Sequence, residues 1–93
     1  MKYFCYRRHD EFPVQLAYTI RYIGTVESAE ELSKFVLDEL PEADISFCES
    51  GTYCFEEDGR KISVAPGDFL VLSPGKHFES YSDMEFFKRF FLS

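Results

Sequence analysis

Residues 52–78 read TYCFEEDGRKISVAPGDFLVLSPGKHF, and their turns and apolar runs predict the architecture of the sheet. Its Asp58-Gly59 dipeptide suits a type I′ turn, in which both central residues have positive φ. A two-residue turn at this position brings opposite charges and apolar side chains to face each other, so the pairing is self-consistent. The predicted pairs are Glu57 with Arg60, Glu56 with Lys61, Phe55 with Ile62 and Tyr53 with Val64.

Two Pro-Gly corners flank an apolar strand in the same stretch. Pro66-Gly67 suits a type II turn, because proline fixes φ and glycine accepts a positive value. That turn matches the twist of a two-residue hairpin poorly, so we expect a corner rather than a simple meander. Phe69 to Leu72 is apolar on both faces. It is predicted to be a central strand covered by a helix on one side and by the aromatic C-terminus or a second copy of the chain on the other.

Upstream, the apolar pattern changes from the period of a strand to that of a helix. Residues 14–22 alternate apolar and polar side chains, which is typical of a half-buried strand. Ser28 and Glu31 have the spacing of a capping box. Pro41 ends the helical pattern, because it disfavours helical φ and ψ in the residue before it. We therefore predict one helix over about residues 29–40.

The chain is predicted to form one domain over residues 1–93, since this length can bury roughly two thirds of the surface of the unfolded chain. The expected fold class is α+β: a curved, mainly antiparallel sheet of five or six strands with the helix packed on it. Phe47 is expected to face the core from a strand joined to the hairpin by a three-residue loop. Residues 83–93 suit either a helix or a strand, and we favour a helical turn over 83–87 running into a strand.

Composition limits the classes of protein to consider. Eleven Phe and six Tyr with no Trp predict a core built on phenylalanine. The N-terminus lacks the pattern of a signal peptide and no apolar run approaches the ~20 residues of a membrane span, so we expect a cytoplasmic protein. Three cysteines without C-x-x-C spacing fit reduced thiols rather than a disulfide scaffold.

The net charge of −7 is concentrated in one third of the chain. From Glu27 to Asp58 there are eleven acidic residues and one basic residue, Lys34, which gives −10, and the rest of the chain carries +3. Such a field repels nucleic acid and anionic membrane and attracts basic partners. The same charges would also suit a solvated face that serves only solubility. The residues predicted to bind a partner are Glu27, Glu30, Glu31, Asp38, Glu39, Glu42, Asp44, Glu49 and Glu56.

The sequence contains the residue types of two kinds of chemical site but lacks the motif of either. A tetrahedral zinc site could be drawn from Cys5, His9, Cys48, Cys54 and His77, but the usual short ligand pairs are missing. Acid–base or nucleophilic chemistry could use His77 with Glu79, or His9 with Asp10, but no serine or cysteine stands in an activating motif. We therefore predict a protein that is not an enzyme and has no metal and no cofactor.

The order of motifs resembles a family of small proteins of tailed bacteriophages and prophages, mostly of unassigned function. The matching motifs are Met1-Lys2-Tyr3, Arg7-Arg8, Pro13-Val14, the helix at 30–36, Gly59, the run from Val64 to Phe69 with its Pro66-Gly67-Asp68 corner, and Phe87 with Phe90. The chain departs from that family in a longer acidic insertion at 38–50 and in the loss of a Gly-x-x-Gly after the central strand. The resemblance implies a phage or prophage accessory protein acting in the host bacterial cytoplasm.

Residues 51–77 also resemble the second half of a small cupin barrel. Cupin enzymes hold a metal with a His-x-His pair and a Glu, and this chain has no such pair. This second resemblance implies a small-molecule-binding module without the metal site, with His77, Tyr53 and Phe69 near the pocket.

The leading hypothesis is a non-enzymatic inhibitor of host defence, similar to an anti-CRISPR protein. Carboxylates at helical spacing lie about 5–6 Å apart and can present charge to a groove that binds nucleic acid. The expected partner is a basic protein or nucleoprotein of the bacterial host, with no direct contact to nucleic acid or membrane. The sequence leaves open whether the chain forms a homodimer, and a structural phage component with no small ligand is a third alternative.

Overall fold

The computed structural model describes residues 3–7, 16–48, 50–73 and 77–92. The strands are β1 (Tyr3–Arg7), β2 (Leu16–Arg21), β3 (Ser46–Phe47), β4 (Tyr53–Glu57), β5 (Arg60–Val64), β6 (Phe69–Leu72), β7 (Phe78–Tyr81) and β8 (Phe90–Leu92). The helices are α1 (Val26–Glu39) and α2 (Asp83–Arg89). These elements confirm the predicted α+β class, with one long helix and antiparallel strands.

The described strands form two antiparallel sheets rather than one curved sheet. The larger has the order β7-β6-β2-β1-β8, and the smaller has the order β3-β4-β5. The chain passes from the smaller sheet to the larger between β5 and β6, at the predicted Pro66-Gly67 corner. The corner directs β6 to pair with β2 instead of continuing beside β5.

The corner is a type II turn, as predicted. The Asp68 amide donates to the carbonyl of Ala65 at 2.9 Å, and Gly67 has a φ of 97°. Tyr22, the residue just after β2, makes two backbone hydrogen bonds to this corner. Its amide donates to the Asp68 carbonyl at 2.9 Å, and its carbonyl accepts from the Gly67 amide. The turn therefore fixes the junction of the two sheets.

The β4–β5 hairpin has the predicted register. Asp58 and Gly59 have φ values of 51° and 77°, which identifies the type I′ turn. All four predicted pairs are observed. The prediction that Phe47 belongs to the core is wrong, because its side chain is 57% exposed, although pairing with Tyr53 places it on the same face of the smaller sheet. The Cys48 amide donates to the Thr52 carbonyl at 2.9 Å, so Thr52 continues the pairing instead of lying in the predicted three-residue loop.

Helix α1 begins three residues earlier than the predicted start at residue 29, and its cap is a different one. The Thr25 side chain accepts from the Ser28 amide at 3.1 Å, and the Ser28 hydroxyl accepts from the Thr25 amide at 3.1 Å. Ser28 is therefore the third helical residue of the capping box rather than its N-cap. The helix ends at Glu39 with Leu40 as C-cap, close to the predicted end.

Two apolar clusters lie on the two faces of the larger sheet. The first cluster lies between α1, the smaller sheet and one face of the larger sheet, and its buried members include Ile20, Leu32, Phe35, Tyr53, Phe55, Ile62, Leu70 and Phe78. The second lies on the opposite face, and its buried members are Cys5, Ala17, Phe69, Val71, Phe86 and Phe90. Every residue of β6 is buried, which confirms the predicted central strand.

The aromatic C-terminus supplies the cover of the second cluster. Ser82 caps α2 by accepting from the Glu85 amide at 3.3 Å. Phe86 then stacks on Phe69 with ring centroids 3.9 Å apart, and on Phe90 at 5.2 Å. The predicted helical turn followed by a strand is confirmed, although the helix continues to Arg89.

Candidate binding surface

An open groove of about 620 Å³ lies between the first half of α1 and the loop from β3 to β4. Its volume is within the range of small-ligand pockets. The wall is mainly apolar and includes Tyr22, Val26, Ala29, Glu30, Ser33 and Phe47. We call this feature the α1 groove.

Hydroxyl groups hold the base of the α1 groove in place. The Tyr22 hydroxyl donates to the carbonyl of Gly51 at 2.7 Å, which ties the loop between β3 and β4 to the end of β2. The hydroxyls of Ser33 and Tyr53 are 3.0 Å apart and hydrogen-bonded, which joins α1 to β4. Burial raises the pKa of Tyr53, and the hydrogen bond with Ser33 opposes part of that rise. The base of the groove is therefore preformed.

Apolar side chains remain exposed around the groove. Val26 is 71% exposed, because the first position of the helix points away from the first cluster, and Phe47 is 57% exposed at the end of a two-residue strand. Ile23, three residues before Val26, is 59% exposed. Single exposed apolar residues need no explanation, but grouped ones mark a contact surface. Phe47 is held edge-on against Tyr53, with ring centroids 5.5 Å apart.

Part of the predicted acidic set lies beside this groove. Glu30 lines the groove directly, and Glu27 lies exposed in the first turn of the helix. Glu31 and Asp38 are exposed and, at helical spacing, share a face with Glu27. Lys34 also lines the groove, so the groove wall itself carries one acidic and one basic residue. We call the four acidic residues Glu27, Glu30, Glu31 and Asp38 of α1 the acidic rim, although Glu31 and Asp38 line a neighbouring concavity rather than the groove.

The rest of the predicted set does not form one surface with these residues. Glu56 lies on the outer face of β4 opposite Lys61, since Tyr53 and Phe55 point to the first cluster and strand side chains alternate. Glu39 is half-buried at the end of α1, and Glu42 and Asp44 are exposed in the turn that follows it. Glu49 lies outside the described residues.

A second concavity of about 420 Å³, the polar cleft, lies at the β4–β5 turn. Its centre is Glu57, which is 4% exposed and accepts from the Phe78 amide at 3.1 and 3.2 Å. Arg60 donates to the same carboxylate at 3.2 Å, and the Nδ1 atom of His77 lies 3.6 Å from it. Asp58 and Glu79 complete the polar wall. The carboxylate thus joins β4 to the start of β7.

Sequence reasoning missed the role of Glu57, although the signal was present. Glu57 follows Tyr53 and Phe55 at intervals of two, so strand alternation places it on the buried face. The predicted pairing of Glu57 with Arg60 uses their opposite charges only and assigns no burial to either residue. In the structure Glu57 follows strand alternation, because its side-chain exposure is 3% whereas that of Arg60 is 54%.

The other residues considered from the sequence lie apart. Tyr53 belongs to the first cluster, Phe69 to the second and His77 to the polar cleft, so they do not line one pocket as the cupin resemblance implied. Of the zinc set, Cys5 is in the second cluster and His9 is outside the described residues. Within the part of the chain that the structure describes, no group of three or more His, Cys, Asp or Glu side chains could hold a metal ion.

Comparisons of the chain with models of known protein families, with curated proteins and with solved structures find no match. Among the residues described here, no helix has both the length and the apolar character needed to cross a membrane.

Proposed function

We propose that the protein is a non-enzymatic binding protein whose α1 groove and acidic rim contact a basic protein partner. The observation that carries the proposal is the grouping of exposed Val26 and Phe47 in one groove, with Glu27 and Glu30 beside it. An apolar centre with a polar rim is the usual anatomy of a protein interface. The apolar centre would supply affinity, and the charges would set orientation and the association rate.

The charge of the rim favours a basic partner. Helix α1 carries five acidic residues and one lysine, and the chain as a whole carries −7. Nucleic acid and anionic lipid would be repelled by this field, whereas a lysine- or arginine-rich surface would be attracted. A segment with an apolar side chain between basic residues would fit the groove and its rim.

The resemblance to small phage and prophage proteins supports a specific partner class. A host-defence nucleoprotein such as a CRISPR effector has a basic groove for nucleic acid, and the acidic face of α1 could occupy it. The inhibitor would then act in the host bacterial cytoplasm by competition with target DNA. This proposal retains Glu27, Glu30, Glu31 and Asp38 from the predicted acidic set and leaves out Glu56.

The proposal can be tested with purified CRISPR nuclease–guide complexes and a labelled target DNA. We expect the protein to inhibit DNA binding and the inhibition to weaken as salt is raised, because exposed charges are screened over about 8–10 Å at 0.1–0.15 M salt. Glu30→Lys should weaken inhibition about tenfold, since reversing one rim charge alters exposed pairs worth up to about 1 kcal/mol each.

Glu85→Lys is the matched control, because it makes the same change of net charge on α2. It should leave inhibition close to the wild-type value. Equal loss in the two variants would show that net charge, not the α1 surface, is responsible. If the protein inhibits no CRISPR effector of any type tested, the anti-CRISPR proposal is wrong. Binding to another basic protein would then be tested by capture and by cross-linking from residues of the α1 groove.

The second candidate is a small-molecule-binding module, as the cupin resemblance implied. The concave shape of the α1 groove and the paired hydroxyls of Ser33 and Tyr53 favour it. A screen of small aromatic compounds by NMR distinguishes the two candidates. Saturable changes in chemical shift confined to the backbone amides around Ala29, Ser33 and Gly51 would support binding of a small ligand. If no such changes occur, the small-molecule candidate is wrong.

A further inference from the structure

Cys48 and Cys54 form a close thiol pair in the smaller sheet. Their Sγ atoms are 3.3 Å apart. Cys54 lies on β4 between Ser46 and Ser63, and Cys48 follows β3 with its amide bonded to the Thr52 carbonyl. In this register the two cysteines are diagonal neighbours, since Cys48 follows β3 and Cys54 lies on the neighbouring strand β4.

The two thiols differ in access to solvent. Cys48 is exposed, whereas Cys54 is 1% exposed. The Cys54 thiol also lies 3.7 Å from the Ser63 hydroxyl and 3.9 Å from the Thr52 carbonyl, so it is held in position beside Cys48. One thiol can therefore be reached by an oxidant, and the other is placed to react with the product.

We propose that Cys48 and Cys54 are a thiol-oxidation site that forms a reversible intramolecular disulfide in the presence of a peroxide. The proposal does not depend on the proposed binding function. Disulfide formation can be measured in the purified protein without any partner. Cys5 is fully buried in the second cluster on the other sheet.

The reaction balances with one peroxide per chain. The Cys48 thiol first releases its proton, and the thiolate attacks one peroxide oxygen. The O–O bond breaks, a sulfenic acid forms, and the hydroxide that leaves takes up the released proton to give one water. The Cys54 sulfur then attacks the Cys48 sulfur, the S–O bond breaks, the S–S bond forms and a second water leaves. The two thiols lose two electrons and the peroxide gains them.

The environment sets the pH dependence of the first step. The hydrogen bond with Cys54 raises the pKa of the Cys48 thiol, and Lys61 partly opposes the rise. Less thiolate is then present near neutral pH, and thiolate is the reacting form. The oxidation rate should therefore increase as pH rises through the alkaline range.

Closing the disulfide would act on the α1 groove through Gly51. The sulfurs must move together by roughly 1.3 Å to reach the bond length of about 2.0 Å. The ring so closed contains Gly51, whose carbonyl accepts from Tyr22 and which lines the groove. Oxidation would therefore restrain the loop that forms one wall of the groove.

The test uses the full chain treated with hydrogen peroxide and then alkylated after unfolding. We expect the number of free thiols to fall from three to one per chain, with loss of the mass of two hydrogen atoms, and to return to three with a small dithiol. Cleavage after Glu49 lies between the two cysteines. The fragments carrying Cys48 and Cys54 should stay joined until reduction.

Two variants complete the experiment. Cys48→Ser changes an exposed residue and should retain both remaining thiols through mild peroxide treatment. Cys5→Ala should still form the disulfide; if that variant does not fold, Cys5 is instead identified by mass as the remaining free thiol in the wild-type chain. A link between Cys48 residues of two chains, a link to Cys5, or oxidation of Cys48 to higher acids with Cys54 still free would overturn the proposal.

Discussion

The α1 groove and the polar cleft lie near opposite ends of β4 and differ in what the fold requires of them. In the polar cleft, the Glu57 carboxylate is engaged by the Phe78 amide and by Arg60. In the α1 groove, Val26 and Phe47 are exposed by more than half of their surface. The titratable residues of the polar cleft thus stabilise the fold, whereas the apolar side chains of the α1 groove remain available for binding.

The physical reason for this difference is the cost of burying polar groups. A buried carboxylate or amide must be hydrogen-bonded, and losing its partner costs about 1–3 kcal/mol. Glu57 therefore satisfies the Phe78 amide where β7 begins. Exposed apolar atoms carry no such requirement, so an exposed apolar group can be kept for a partner at little cost to stability.

The largest expected effect is that of Glu57→Ala on stability. We expect the free energy of unfolding to fall by about 2–3 kcal/mol, because the buried Phe78 amide and part of Arg60 lose their acceptor. Urea denaturation followed by circular dichroism measures this change. Glu57→Gln, which keeps one acceptor oxygen, should lose less.

His77→Ala is the control within the polar cleft. The His77 side chain is 62% exposed, so its removal should change the free energy of unfolding by less than about 0.5 kcal/mol. A loss for His77→Ala as large as that for Glu57→Ala would contradict the structural role assigned to the carboxylate alone. It would make the histidine part of the same framework.

A smaller effect on stability is expected at the α1 groove. Phe47→Ala should lower the free energy of unfolding by about 0.5–1 kcal/mol, because its edge-on contact with Tyr53 is largely solvent-exposed. The same change should reduce binding of a neutral hydrophobic dye, measured by fluorescence titration. Met84→Ala is the matched control, since Met84 is 74% exposed on α2. Equal dye binding by both variants would mean that the groove is not the apolar surface available to ligands.

The smallest effect concerns Tyr53, a buried titratable group beneath the α1 groove. Burial raises its pKa in the folded protein above the ordinary value of 10.0. Above pH 10 the unfolded chain releases this proton while the folded chain keeps it, so stability falls as pH rises through the folded pKa. Tyr53→Phe removes this dependence and should show a shallower loss of stability above pH 10, measured by denaturation at several pH values. Parallel pH profiles for Tyr53→Phe and the wild-type chain would contradict the assigned burial effect.

Local patterns were enough to predict several elements. The Asp58-Gly59 turn, the register of β4 with β5 and the type II corner follow from backbone preferences of two or three adjacent residues. The burial of β6 follows from its uninterrupted apolar run. The predicted start of α1 is wrong because Ser28 was expected to be the N-cap, whereas Thr25 is. Serine and threonine both favour this position, so residue type does not distinguish them.

The candidate site was predicted only in part. The acidic character of α1 is a property of sequence, and Glu27, Glu30, Glu31 and Asp38 are exposed as expected. The apolar half of the surface is not predicted by the sequence, because the register expected for a three-residue loop places Phe47 on the core face. Its exposure depends on the pairing of the short strand β3 with β4, in which Phe47 lies opposite Tyr53, and this register cannot be read from composition.

Sequence alone determined the turns of residues 52–78, the charge of the acidic third and the apolar runs, because each depends on neighbouring residues in the chain. Tertiary structure decided that the strands form two sheets, that Glu57 is buried, that Glu56 lies away from α1, and that Cys48 meets Cys54. These features depend on which strands pair across long separations. Such pairing depends on the free energy gained by burying the two apolar clusters and on the conformational entropy lost in forming them. Both quantities are sums over the whole domain rather than over one segment.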